Sequence, residues 1–225
     1  MKVFLGYDPR ESVSYHVAAH SILRRSSIPV QITPLALTNL GGDFKRERTP
    51  LQSTDFSFTR FLVPHLCGYK GWAVFMDSDV LMRTDIAELG RLCNLTNFYK
   101  AVFVVKHDYT PKDESKFLGE RQSKYEKKNW SSVMLFNNYR CRKLTPEYIN
   151  QAPGLNLHQF HWTTEDQIGE LEKDWNHLVG EQPPNPSAKL VHFTRGGPWF
   201  KEYKDCEFSG EWYEEFKNMS HPLEA

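Results

Sequence analysis

Apolar residues along the chain fall into two patterns, short strand-like runs and longer stretches in which they recur at helical spacing. The runs are Val3-Phe4-Leu5, Val30 to Leu35, Trp72-Ala73-Val74-Phe75-Met76, Ala101 to Val105, Ser132 to Phe136 and Lys189 to Phe193. Two of these, Trp72 to Met76 and Ala101 to Val105, are continuous apolar runs that fit strands buried on both faces of a parallel sheet. Ser12 to Arg25 carries Val13, Val17, Ala18 and Ile22 at helical spacing, with Glu11 and Ser12 suited to its first turn and Arg24-Arg25 to its last. The opening is therefore β-α-β, the signature of a parallel sheet with crossover helices. Thr59 to Leu66 predicts a helix leading through Gly68 and Gly71 into the central strand. Thr145-Pro146-Glu147 opens a helix with a cap residue and a first-turn proline. Thr163-Thr164-Glu165-Asp166 predicts another helix start, and Gly210 to Met219 an aromatic-rich terminal helix.

Between these elements, Asn39 to Asp55 is polar and broken by glycine and proline, and predicts a loop. Lys106 to Lys128 is a long mixed-charge stretch without periodicity, either a functional loop or a solvated excursion. No repeat and no linker divides the chain. We expect one catalytic domain over 1–225, with a nucleotide-binding half at about 1–105 and a sugar and acceptor half at about 106–225. Its fold class is α/β: a Rossmann-like, mostly parallel central sheet flanked by helices.

The end of the central strand carries the candidate chemistry. Trp72 to Met76 runs straight into Asp77-Ser78-Asp79, followed by Val80-Leu81. Ligands of open α/β sheets bind beyond the carboxyl ends of such strands. Two acids held there repel each other unless one protonates or a cation joins them. Hard oxygen ligands suit Mg²⁺ or Mn²⁺, ions that hold and neutralise phosphates. Asp-x-Asp alone is weak, since about one copy arises by chance in a chain of average acidity. The preceding buried run gives it weight over an ordinary strand-end turn. A second strand end carries His192 within Val191-His192-Phe193-Thr194-Arg195-Gly196-Gly197-Pro198-Trp199. A neutral imidazole can complete a Mn²⁺ site beside two carboxylates. Arg195 can neutralise a phosphate, which Gly196-Gly197 lets backbone amides approach.

Composition narrows the picture. The chain has 225 residues, 40% hydrophobic, enough for one sizeable core. Its 28 basic and 28 acidic residues cancel, which argues against electrostatic binding to nucleic acid or to an anionic membrane. Cys67, Cys93, Cys141 and Cys206 have no paired spacing, against a zinc site or disulfide scaffold. With neither a targeting segment nor an apolar run long enough for a membrane span, the expected location is cytoplasmic.

Seven pieces of the chain, in order, resemble the metal-dependent glycosyltransferases with the A-type nucleotide-diphospho-sugar transferase fold, and family 8 among them. Val3-Phe4-Leu5-Gly6-Tyr7-Asp8 is similar to that family's first strand, and Phe58-Thr59-Arg60-Phe61 to its aromatic-x-Arg-aliphatic helix. Phe75 to Leu81 matches its metal motif. Trp130-Ser131-Ser132-Val133-Met134-Leu135-Phe136-Asn137 resembles its FNSGVMLFN-like strand, Asp166-Gln167 its DQ pair, Trp175-Asn176 its WN pair, and His192 to Trp199 its HFxGxxKPW closing motif. Ser131-Ser132 replaces the family's small-residue-glycine pair. The closing motif is one residue shorter and lacks the lysine before Pro198, marks of a divergent member.

The resemblance implies a sugar transfer from a nucleotide-diphosphate donor, a UDP-sugar by that likeness, to a glycan, lipid-linked or protein acceptor, with retention of configuration. It implies Mn²⁺, or Mg²⁺, on Asp77, Asp79 and His192. Gly6, Tyr7, Asp8 and Arg60 would lie near the nucleoside, with Ser78, Arg195 and Gly196 also in the donor site. Trp130, Ser131 and Ser132 would lie near the sugar, and Asp166 or Gln167 beneath the anomeric carbon. Asp8 as a turn residue before Pro9, and Asp166 as a helix first-turn acid, are the competing readings. Rival functions are a haloacid-dehalogenase-like phosphatase, which places its Asp-x-Asp on the first strand, a nucleotidyltransferase, which needs a glycine-rich basic loop after that strand, and an inactive nucleotide-sugar binder.

Overall fold

The computed structural model describes residues 1–49, 52–108 and 125–221. The central sheet has six strands in the order β2-β1-β3-β6-β5-β7. They are β1 (Lys2–Gly6), β2 (Gln31–Leu35), β3 (Trp72–Met76), β5 (Val102–Val104), β6 (Val133–Asn137) and β7 (Ile168–Glu170). β1 pairs in parallel with β2 and β3, and β5 with β7, whereas β6 runs antiparallel to both its neighbours. The sheet is thus mostly parallel with one reversed strand. That reversal matters for the site. It carries the residues just before β6 to the carboxyl end of β3, where Met76 faces Val133 and the Asp77 N–H donates to the Ser132 carbonyl at 2.9 Å.

Pleating sends alternate side chains into two cores. Phe4, Phe75, Phe136, Val102 and Val104 share one core with Phe61, Ile149 and Leu157. These last come from a 3₁₀ turn at Thr59–Leu62, from α4 (Pro146–Gln151) and from α5 (Gly154–His158); α2 (Val63–Leu66) continues that turn. Val3, Leu5, Val74, Met76 and Leu135 face the other core, with Ala18 and Ile22 of α1 (Ser12–Arg25). Thr145 caps α4 as its sequence predicts, accepting the Tyr148 N–H at 3.2 Å.

A small second sheet, β4-β9-β8, joins β4 (Val80–Met82), β9 (Leu190–His192) and β8 (His177–Leu178). β4 is antiparallel to β9, with Val80 opposite His192. α3 (Ala87–Gly90) follows β4, and α6 (Ser209–Ser220) lays Trp212 against Val17, Leu81, Val191 and Phe193. Glu215 of α6, almost wholly buried, accepts from His20, Arg24 and Arg25, tying α6 to α1.

One expectation changes. The helix predicted from Thr163 does not form. Glu165–Gln167 make a single 3₁₀ turn, and the chain enters β7 instead. The open edge of β5 captures it, with Ala101 N–H donating to the Gln167 carbonyl at 2.9 Å. Gly169 makes this pairing possible, since a Cβ there would lie 2.3 Å from the Phe103 ring. Most of the Lys106 to Lys128 loop lies outside the described residues. No described helix is long and apolar enough to cross a membrane.

Candidate active site

The carboxyl end of β3, the start of β4 and the end of β9 converge on Asp77, Asp79 and His192. All three are buried, and one ligand atom from each lies within 4.8 Å of the others. Sheet register makes the cluster. Val80 opposite His192, and Phe193 N–H donating to the Asp79 carbonyl at 2.8 Å, lock the histidine beside the acids. His192 Nε2 is 3.3 Å from an Asp79 oxygen and 3.8 Å from an Asp77 oxygen. Neighbouring ligand atoms around a small octahedral ion lie about 3 Å apart, so this donor set fits a divalent cation.

Surrounding polar contacts orient two of these three candidate ligands, His192 and Asp77. Asn176 is fully buried at the end of a 3₁₀ turn, Lys173–Asn176. Its amide NH₂ donates to the Asn129 carbonyl at 3.1 Å, which leaves its oxygen facing His192 Nδ1 at 2.9 Å. Nδ1 must therefore carry the proton, and Nε2 turns to the acids. Arg60 contacts the other Asp77 oxygen at 2.8 Å. It also donates to the Ser131 carbonyl at 2.9 Å and the Phe56 carbonyl at 3.2 Å, and lies over the Phe75 ring. The guanidinium thus orients a metal-ligand candidate from behind. Ser78 is buried between the two acids.

A cavity of about 530 Å³ opens from this cluster. Arg60, Asp77, Asp79, Ser131, Ser132 and His192 line it, as sequence reasoning expects of a shared site. The remaining sequence-predicted residues are not among those that line this cavity. Gly6 packs under Phe56, whose ring would lie 2.5 Å from a Cβ at that position. Tyr7 meets Tyr15 edge-on at 5.4 Å. Asp8 is buried and fully engaged in hydrogen bonds. Its carboxylate accepts from the Arg10 backbone and guanidinium and from Asp55 N–H, capping the turn at Pro9–Glu11. Burial pushes its carboxyl up, but the Arg10 hydrogen bonds and charge, with the Asp55 N–H, outweigh this and hold it below the usual range. Trp130 turns its indole N–H to the His107 carbonyl at 2.8 Å, outside the cavity lining. Arg195 and Gly196 line a separate cavity of about 360 Å³, with Arg195 3.9 Å from Glu181.

Asp166 and Gln167 are not brought to the cluster. They precede β7, whose first residue pairs with Val102, itself opposite Phe136 and so level with Ala73 at the start of β3. The pair therefore sits at the opposite end of the strands, on the outermost one. Asp166 is exposed and Gln167 hydrogen-bonds Thr163 at 2.8 Å. His158, at the end of α5, also lines the cavity, and its Nδ1 is 2.8 Å from Ser131 Oγ. Desolvation, then the nearby Arg60, Lys128 and Arg46 charges, hold its pKa well below the ordinary histidine value, so it is neutral. The sequence gives no local sign of this histidine. Asn176 is visible there only as half of the Trp-Asn pair.

The chain is similar to known proteins in sequence and in fold. Protein CDI of Arabidopsis thaliana is 46% identical over 228 residues, covering 97% of this chain and 87% of that protein. The chain belongs to the Protein CDI family. No established protein-family profile matches it. Among solved structures, the bifunctional glycosyltransferase WbbM superposes with a TM-score of 0.67 at 15% identity, covering 97% of this chain and 50% of WbbM. The galactosyltransferase LgtC, solved with donor and acceptor sugar analogues, gives 0.63 at 12% identity, covering all of this chain and 98% of LgtC. GlyE of Streptococcus pneumoniae gives 0.60 at 16%, covering 96% of this chain and 59% of GlyE. The chain thus spans half of WbbM and over half of GlyE, and nearly the whole of LgtC. At these identities the likeness is one of fold, and this member of the CDI family has the A-type glycosyltransferase fold.

Proposed function

We propose that the protein is a metal-dependent glycosyltransferase that moves a sugar from a nucleotide-diphosphate donor to an acceptor hydroxyl. The observation that carries this reading is the convergence of Asp77, Asp79 and His192, from three separate elements, on one wall of a cavity in an A-type fold. The donor set is two carboxylates and one imidazole with its proton held on the far nitrogen, which suits Mn²⁺ or Mg²⁺. Such an ion, when bound, acts as a Lewis acid on the departing diphosphate. Arg60 keeps the Asp77 carboxylate oriented, and Asn176 keeps the His192 lone pair facing the acids. Ser131, Ser132 and His158 then form the wall that a donor sugar would meet. By family likeness the donor is a UDP-sugar and the configuration is retained. A reducing, cytoplasmic setting suits the four free thiols.

A phosphatase of the haloacid-dehalogenase type would carry its Asp-x-Asp after the first strand, whereas here it follows β3. The test is thermal unfolding with UDP, GDP, CDP and dTDP, each with and without Mn²⁺. A ligand that binds only the native state adds about 2.7 kcal/mol at a hundredfold excess over its dissociation constant. We expect a rise for one nucleotide that requires Mn²⁺ and vanishes in Asp79→Ala. No rise with any of the four, in folded protein, overturns the proposal.

A further inference from the structure

The hydrogen bond between His158 and Ser131 joins residues 27 positions apart, so it is an arrangement of the fold and of no local motif. Three features make it more than a packing contact. Both side chains line the cavity that holds the Asp77, Asp79 and His192 cluster. The Ser131 backbone is itself fixed, because Arg60 donates to its carbonyl at 2.9 Å while also meeting Asp77 at 2.8 Å. The imidazole is neutral, and it is wedged among Phe58, Phe61 and Tyr125, with ring centroids at 5.6, 5.3 and 5.9 Å.

A neutral imidazole and a hydroxyl at 2.8 Å share one proton between them. If Ser131 donates to Nδ1, its oxygen can accept from a ligand hydroxyl. If Nδ1–H donates to Ser131, the serine proton is left to bond a ligand oxygen. Either way His158 decides how Ser131 presents itself to the cavity. A site built to bond a particular hydroxyl rejects an analogue without it strongly, because its own polar group is then left unpaired.

We infer that His158 is a positioning residue for Ser131, and that the pair reads a hydroxyl of the donor's sugar and sets which sugar is accepted. This rests on the nucleotide-sugar reading above. The pair lies on the wall beside the metal ligands, and neither residue belongs to the cluster. Loss of the pair should therefore cost the sugar's share of binding and spare the nucleotide's.

The test is calorimetric titration of the full chain, in Mn²⁺, with UDP, GDP, CDP and dTDP and with their hexose conjugates. The readout is the ratio of dissociation constants, free nucleotide over its sugar conjugate, for each sugar. In Ser131→Ala and in His158→Phe we expect the nucleotide alone to bind within threefold of wild type, while the preference between epimeric sugars falls at least tenfold. The double variant should lose no more than either single, and His158→Gln, which can still hydrogen-bond Ser131, should recover part of the preference. Unchanged sugar preference in the folded single variants overturns the inference and leaves the nucleotide reading standing. Equal loss of nucleotide and conjugate also overturns it, since that is the mark of a merely structural pair. A wild-type protein that binds none of the nucleotides removes both.

Discussion

Asn176 contributes to the candidate metal centre without touching a metal. A ligating histidine needs its second nitrogen committed, so that the tautomer and ring plane are fixed before an ion arrives. Asn176 does this from a fully buried position, and its own orientation is fixed by the Asn129 carbonyl. Asn129 in turn holds a left-handed backbone conformation, with φ of 61°, and donates to Thr194 Oγ1 at 3.3 Å, two residues past His192. The network therefore closes on itself. Replacing Asn176 by leucine removes the acceptor at Nδ1 and frees the imidazole to take the wrong tautomer. We expect Asn176→Leu to weaken Mn²⁺ binding roughly 10–100-fold. Asn176→Asp keeps an acceptor and should bind more tightly than the leucine variant. Electron paramagnetic resonance titration of free Mn²⁺ measures this directly. Equal affinity in wild type and Asn176→Leu would show that the ring is positioned by its strand alone.

At the level of elements, the site is the product of strand register. Asp77 and Asp79 end one strand and begin the next, His192 ends another, and only the pairing of Val80 with His192 makes them neighbours. β7 makes the converse case. Its glycine accepts Phe103 where any side chain would collide, so Gly169→Ala should destabilise the protein by about 1–3 kcal/mol, measured by urea unfolding. Asp166→Asn, beside that strand but at the far end of the sheet, should leave Mn²⁺-dependent nucleotide affinity within twofold of wild type. A hundredfold loss would mean that β7 leaves the sheet edge when donor binds. These two elements also mark how far the sequence could be read. Trp72 to Met76 is apolar on both faces, and nothing but a central strand fits it, so the acids at its end stood out. Thr163 to Asp166 satisfies the local chemistry of a helix start just as well, yet the free edge of β5 offers Gln167 and Ile168 a ladder that local preference cannot outweigh. His158 was illegible for the same reason. Its neighbours Leu157 and Gln159 say only that a helix ends there, and its contact with Ser131 exists only once α5 packs beneath the sheet.

Over the whole molecule, two neutral histidines, the buried His107 and the half-buried His158, should govern how stability responds to mild acid. Burial, and then the nearby His192, Lys173 and His177, push His107 down to about 3. The Gln182 amide agrees with a neutral ring. Its oxygen accepts from Leu178 N–H at 2.8 Å, so its NH₂ faces His107 Nδ1 at 3.4 Å. His158 is likewise held well below its ordinary value by burial and by the surrounding cations. Unfolding restores both to about 6.5. Below that pH the unfolded chain therefore binds more protons than the folded one, and stability falls as pH falls. Above 6.5 neither group contributes a slope. Each can add up to about 1.4 kcal/mol of destabilisation per pH unit below 6.5, until its folded pKa is reached. Two carboxylates act at lower pH and in opposite directions. Asp8, depressed on balance by Arg10, loses stability as it protonates, whereas Asp55, raised by burial and by the neighbouring Asp8, gains it. Both have an ordinary value of 3.8, so Asp8 acts below the interval from pH 6.5 to 5, and Asp55, wherever it acts above 3.8, opposes the histidines. Urea unfolding across that interval, in chelator to keep metal off His192, should show a falling midpoint in wild type. His107→Gln and His158→Gln should each flatten it, and together they should nearly abolish it. A wild-type midpoint that does not move between pH 6.5 and 5 would mean that both rings take up a proton without unfolding, so that the wall of the cavity beside Asp77, Asp79 and His192 changes charge while the fold stays intact.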